Sequence, residues 1–249
     1  MKVVYHPQYE EVYSGDPAAR AGRMEAILQE VSPDFEVVMA EPAAIDDIRL
    51  VHSNQHIEYI QRMGLTYEVA LLAVGGAIRA AKLAVGGEPS FGLIRPPGHH
   101  ASRNHCWGFC FFNNMAISIA KLRKEGRIRK ALIVDIDLHF GDGTDNIFQN
   151  VSEVVYFHPE GGDRHVFIDS ISQFLAQTKG DVVAVSAGFD RHEHDWGGLL
   201  KTEDYETIGN LVKGFAQRVC HGRRYGVLEG GYNHDVLGKN VKALLKGMS

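Results

Sequence analysis

The sequence predicts an α/β domain on a mainly parallel sheet, and three observations carry that expectation. Seven short β-rich apolar runs recur along the 249 residues. Helical patterns separate nearly all of them, and a helical crossover returns the chain parallel to its previous strand. No repeat of roughly 20 to 50 residues, low-complexity tract or Pro/Gly/Ser-rich linker divides the chain, so a single domain spanning residues 1–249 is expected.

The elements follow in order. Val3–Tyr5 is the first strand, and Arg20–Val31 the first helix, with Met24, Ile27, Leu28 and Val31 at helical spacing. Phe35–Met39 is the second strand; His56–Arg62 and Tyr67–Val85 are helices. Val69–Val85 is the most membrane-like stretch, but Gly75-Gly76, Arg79 and Lys82 interrupt it, and it reads as a buried helix. Strand Phe91–Ile94, helix Asn114–Lys124, strand Ala131–Val134, helix Asp142–Gln149 and strand Val154–Phe157 come next. Helix Ile171–Gln177, strand Val182–Val185, helix Thr202–Val219, strand Tyr225–Leu228 and helix Val236–Lys246 complete the chain.

Composition narrows the function classes. Hydrophobic residues at 45% and charged residues at 23% suit a folded protein with a substantial core. A net charge of −5 supplies no basic field for nucleic acid or an anionic membrane and mildly favours a cationic ligand. Cys106, Cys110 and Cys220 are too few and odd in number for a disulfide framework, and Met1–Pro7 lacks a secretory signal, so a cytoplasmic location is expected.

In an open parallel sheet, ligands bind beyond the carboxyl ends of the strands. Four apolar runs lead into chemically rich segments: Arg95–His100, Asp135–Asp142, Ser186–Asp190 and Glu229–Asn233. Alternation along an extended chain turns Asp135, Asp137 and His139 to one side, and Asp190 can close a three-ligand set with Asp137 and His139 around a zinc-like divalent ion. The same carboxylates would also serve as helix caps or partners of basic groups, and spacing alone leaves both readings open. Pro96-Pro97-Gly98 can aim His99 and His100 into a pocket, where imidazole is suited to take a proton from water near neutral pH. Asp135 and Asp142 can orient those rings, and Tyr232, after Gly230-Gly231, can polarise a carbonyl.

The ordered segments Arg95–Ala101, Gly108–Asn113, Asp135–Thr144, Ser186–Asp190 and Leu228–Asn233 resemble the signature of the histone deacetylase superfamily, which includes acetylpolyamine amidohydrolases and acetoin-utilisation proteins. From the Arg20/Arg23 pair to Tyr232, the resemblance covers most of the chain. It implies a single-domain, three-layer αβα arginase/deacetylase fold and a metal-dependent amidohydrolase that releases acetate from acetyl-lysine, acetylpolyamines or similar small acyl amines. It implies metal ligation by Asp137, His139 and Asp190, with Zn2+ the default and Fe2+ or Co2+ compatible. It also implies proton transfer by His100, electrostatic assistance from His99, carbonyl polarisation by Tyr232, support of the histidines by Asp135 and Asp142, and a substrate-channel wall at Gly108 and Phe109. A binuclear ureohydrolase of the same fold would demand further bridging carboxylates, and a non-catalytic acyl-ligand binder would not need the intact base and tyrosine.

The sequence departs from the family pattern at four places. Phe140 stands where many members carry a second histidine, and Tyr156 where relatives place a small hydroxyl residue at a monovalent-cation site, so bound K+ is not expected. The interval from His158 to Ser186 is short, which predicts an open rim or one completed by a second subunit of a homo-oligomer. After Asp190, His194-Asp195-Trp196-Gly197-Gly198 is one residue shorter than the common pattern, with Trp196 positioned to take over part of that rim. Cys106 and Cys110 with His105 read as free thiols and not a second metal site; Phe111 and Phe112 read as packing. His52, His56, His158, His165, His192, His194, His221 and His234 read as surface or structural residues, and Lys121–Lys124 as a solvated helix end.

Overall fold

The computed structural model describes residues 1–249. Its strands are β1 (Lys2–Tyr5), β2 (Glu36–Met39), β3 (Ser90–Gly92), β4 (Ala131–Asp135), β5 (Val154–Phe157), β6 (Val182–Ala187) and β7 (Arg224–Leu228). Its α-helices are α1 (Arg23–Val31), α2 (Ile45–Ile48), α3 (Asn54–Gln61), α4 (Leu65–Val85), α5 (Asn114–Lys124), α6 (Asp142–Phe148), α7 (Arg164–Gln177), α8 (Thr202–Val219) and α9 (His234–Met248). All seven strands pair in parallel in one sheet, in the order β2-β1-β3-β7-β6-β4-β5.

The central strands explain why the apolar runs were continuous. Every residue of β3, β4, β6 and β7 is buried, because helices cover both faces of a parallel sheet. The edge strand β2 keeps three of its four residues exposed. Two groups of helices flank the sheet: α1, α9, α8 and α7 pack in succession, while α4, α5 and α6 form the other group. The largely apolar α4 is buried along most of its length against β1, β3 and β7, and Lys82 on its outer side pairs with Glu125.

Some element boundaries differ from expectation for local reasons. The first helix starts at Arg23, after Gly22 in the left-handed region, while Arg20 ends a separate 3-10 turn over Pro17–Ala19. Helix α7 begins at Arg164 and not at Ile171, because Asp163 caps the N–H groups of His165 and Val166 and Phe167 is buried one turn ahead of Ile171. The short α2 was not anticipated; a four-residue helix has too few positions to show a period.

Candidate active site

β3, β7, β6 and β4 are neighbours in the sheet, so the four chemically rich segments emerge side by side from its carboxyl edge. β4 ends at Asp135, and Asp137 and His139 lie in the loop beyond it. Their convergence is therefore a property of that loop and not of strand alternation as expected. Asp137 Oδ1 accepts the His139 N–H (2.9 Å), and Asp137 Oδ2 accepts the Gly230 N–H (2.8 Å) from the end of β7. Asp190 Oδ1 accepts the Leu138 N–H at 3.0 Å.

Ligand-type atoms of Asp137, His139 and Asp190 lie within 4.8 Å of one another. His139 Nδ1 is 3.2 Å from Asp137 Oδ1 and also from Asp190 Oδ2, but it is aligned for a hydrogen bond only to Asp137. Asp190 Oδ2 is consequently buried without a donor. Burial and the nearby Asp137 charge push the Asp190 carboxyl up to about 6. Burial would also raise Asp137, but His99, His139 and backbone N–H groups hold it well below the usual carboxylate range. The hydrogen bond to Asp137 and the Asp190 carboxylate 3.2 Å away lift the His139 imidazole to about 10. Two buried carboxylates, one of them with an orphaned oxygen, and an imidazole form a donor set that fits a divalent ion of the zinc type.

The two adjacent histidines have different carboxylate partners. His99 Nδ1 lies 3.0 Å from Asp135 Oδ2, and both residues are buried. His100 Nδ1 lies 2.6 Å from Asp142 Oδ1, in the first turn of α6, where the half-exposed carboxylate also favours the helix N-terminus. Burial and then the charge of His99 lower the His100 pKa, which favours a neutral ring.

His99, His100, Gly108, Phe109, His139 and Tyr232 line one cavity of about 130 Å³, together with Trp107 and Trp196. Gly108 has φ 58°, and a Cβ there would come within 2.5 Å of the His100 ring, so the close approach of this wall requires glycine. Trp196 stacks on Tyr232 with ring centroids 4.1 Å apart and thus joins the rim, as expected.

Several residues at the site carried no role in the sequence reading. Trp107 Nε1 donates to Asp142 Oδ2 at 2.9 Å, and its ring lies 4.0 Å from that of His100. Glu229, fully buried, accepts the N–H groups of Gly98 (2.7 Å) and His99 (3.2 Å) and locks the histidine loop to the end of β7. Asp195 Oδ2 accepts the N–H groups of Tyr232 and Asn233, both at 2.8 Å. Trp107 and Glu229 sit beside recognised motif residues, which is the only signal that pointed to them. Cys110 clusters with His99 and Glu229 and not with Cys106 and His105. His52, His56 and His192 are buried structural residues, whereas Phe140 is half exposed.

The fold and the comparisons agree. A crystal structure of the HDA15 HD domain superposes with a TM-score of 0.84 over 98% of this chain and 88% of that one, at 23% identity, which defines the arginase/deacetylase fold. The histone deacetylase domain profile matches residues 17–167 and 159–248, two pieces that overlap just after His158. The chain therefore belongs to the histone deacetylase family. A probable deacetylase of Methanothermobacter thermautotrophicus is 31% identical over the whole chain and 90% of its own length. The acetylpolyamine amidohydrolase of Mycoplana ramosa is 29% identical over 74% of this chain and 64% of its own. No helix is long and apolar enough to cross a membrane.

Proposed function

We propose that the chain is a metal-dependent deacetylase that hydrolyses the N-acetyl amide of small acetylated amines or acetyl-lysine to acetate and the free amine. One observation carries this reading: the Asp137, His139 and Asp190 cluster reaches, through His139, the same cavity that a carboxylate-tethered His100 and Tyr232 line. A divalent ion held by these three ligands would polarise the acetyl carbonyl and acidify water. His100 Nε2 takes the proton of the attacking water, while Asp142 keeps Nδ1 protonated and stabilises the imidazolium that forms. The Tyr232 hydroxyl donates a hydrogen bond to the carbonyl oxygen as negative charge develops there. His100 then returns its proton to the departing amine nitrogen. His99, tied to Asp135, holds compensating positive charge beside the ligand carboxylates, and Gly108 and Phe109 wall the acetamide.

The acetylpolyamine amidohydrolase relative and the negative net charge support a small cationic substrate, and Zn2+ is the expected ion. Elemental analysis of protein purified without added metal, combined with turnover of acetylputrescine and a fluorogenic acetyl-lysine peptide, tests the proposal. About one equivalent of divalent ion with turnover of either substrate supports it. Two essential equivalents, or no turnover by metal-replete protein, would reject it.

A further inference from the structure

Two groups outside the cavity close the back of the metal-ligand loop. Arg191 follows Asp190 directly, and this pair brackets the loop: Asp190 Oδ1 accepts the Leu138 N–H, while Arg191 donates to the carbonyls on the far side. Arg191 Nε donates to Asp137 O at 2.9 Å, and Nη2 donates to Leu138 O at 3.3 Å and His158 Nε2 at 2.8 Å. The guanidinium lies 4.7 Å from the centroid of the Phe167 ring, contributed by α7, and the side chain is buried. Nearby, the Tyr156 hydroxyl donates to Asp135 Oδ2 (2.9 Å) and accepts the Gly141 N–H (2.8 Å). The other Asp135 oxygen accepts the Asp137 N–H at 3.2 Å.

This arrangement does not fit a monovalent-cation site of the kind expected of relatives with a small hydroxyl residue in place of Tyr156. Such an ion needs free carbonyl, hydroxyl and carboxylate oxygens, and here two loop carbonyls and the Asp135 carboxylate already have donors. The electrostatic demand remains, since Asp135, Asp137 and Asp190 are three buried carboxyl groups within one short region. A guanidinium meets it with a permanent positive charge and in-plane donors, and its face packs on an aromatic ring.

We propose that Arg191 is the built-in cation of the metal-ligand loop and that, with Tyr156, it replaces a potassium or sodium site, so that divalent-ion retention and turnover need no monovalent cation. Arg191 acts as a positioning residue. It holds Asp137 and His139 in place through the Asp137 and Leu138 carbonyls. The inference rests on Asp137, His139 and Asp190 binding the divalent ion.

The test titrates KCl or NaCl against choline chloride at constant ionic strength. Zinc affinity by chelator competition, turnover and the melting temperature of the zinc-free protein are followed. In the wild-type protein all three stay flat. Arg191→Ala weakens zinc binding by about tenfold or more, Arg191→Lys recovers part of the loss, and added guanidinium restores Arg191→Ala toward wild type. A saturable potassium or sodium response of about threefold or more in the wild-type protein overturns the proposal, as does Arg191→Ala binding zinc within about threefold of wild type. If Arg191→Ala does not fold, the wild-type titration and Arg191→Lys decide the matter. Protein that binds no divalent ion in any buffer defeats the metal reading instead, and the melting temperature of that protein still reports whether a monovalent cation binds.

Discussion

His99 and His100 are neighbours in sequence, yet the carboxylates behind them set them apart. Asp135 is sealed in the interior beside the ligand loop, while Asp142 sits half exposed at the start of α6. Only His100 pairs a ring exposed to the cavity with a partner that water can reach, which suits a group that must take up and return a proton. His100→Ala and Tyr232→Phe are each expected to lower kcat by about a hundredfold or more while leaving the divalent ion in place. Near wild-type kcat at saturating substrate in either variant removes that residue from the mechanism. Asp190→Ala should lose ion and activity together. Trp107 sharpens the same argument, because its indole N–H takes part of the Asp142 charge. Trp107→Phe keeps the ring over His100 but frees that charge, which makes the His100 imidazole easier to protonate. The acid limb of kcat/KM then moves to higher pH, with a loss of roughly twofold to tenfold at neutral pH. An unshifted limb would show that the indole serves packing alone.

Among the elements, α5 ties the fold to the site. Asn113 caps it by accepting the Ala116 N–H at 2.9 Å, and Asn113 Nδ2 donates to Ala101 O and Thr144 Oγ1, both at 3.0 Å. The Asn113 backbone N–H donates to His52 Nε2 at 2.9 Å, so His52 must stay neutral on that nitrogen. Burial, reinforced by the charge of His56, lowers its pKa from 6.5 to about 3. The unfolded chain takes up this proton near its ordinary value and the folded chain does not. The associated stability is therefore complete above about pH 6.5 and drains as the pH falls toward 3. Between pH 7 and 5 this single group should cost about 2 kcal/mol. Urea unfolding at the two pH values measures it, and His52→Gln, which can still accept the Asn113 N–H, should flatten the difference by that amount. Equal pH dependence in both proteins would assign the acid sensitivity to other groups. His52 carried no such signal in sequence, because a lone histidine before a helix is equally at home on the surface.

At the scale of the whole molecule, the sheet order makes four strand ends neighbours, and the ligand loop, Gly230 and Asp190 are joined across β4, β6 and β7. The divalent ion should thus couple to global stability. With free zinc at about a thousand times its Kd, binding contributes about 4 kcal/mol, and chelation should lower the melting temperature reversibly. Asp190→Ala should melt at one temperature with or without zinc. The short interval after His158 and the exposed Trp107 and Trp196 at the cavity mouth leave few contacts beyond the acetyl group. Broad turnover of small acetyl amines with modest discrimination among acetylated peptides is expected. A preference above about a thousandfold, or ~4 kcal/mol in kcat/KM, for one peptide in a proven monomer would contradict it.

The central strands β3, β4, β6 and β7 were legible because parallel strands buried on both faces are continuously apolar, and the exposed edge strand β2 through its β-branched Val37-Val38 pair. The residues of the candidate site were legible because their types, in order after those strands, match a known chemistry. Helix starts at Arg23 and Arg164 were less so, since they depend on a glycine conformation and an aspartate cap amid polar residues. Sequence by itself determined the α/β class, the parallel sheet and the ligand and proton-transfer candidates, all properties of local pattern and residue chemistry. Tertiary structure alone decided that Trp107 holds Asp142, that Glu229 anchors the histidine loop, and that Arg191 and Tyr156 occupy the back of the ligand loop. Those partners come from segments up to 131 residues apart, and only the strand order and the burial it imposes bring their polar atoms within bonding distance.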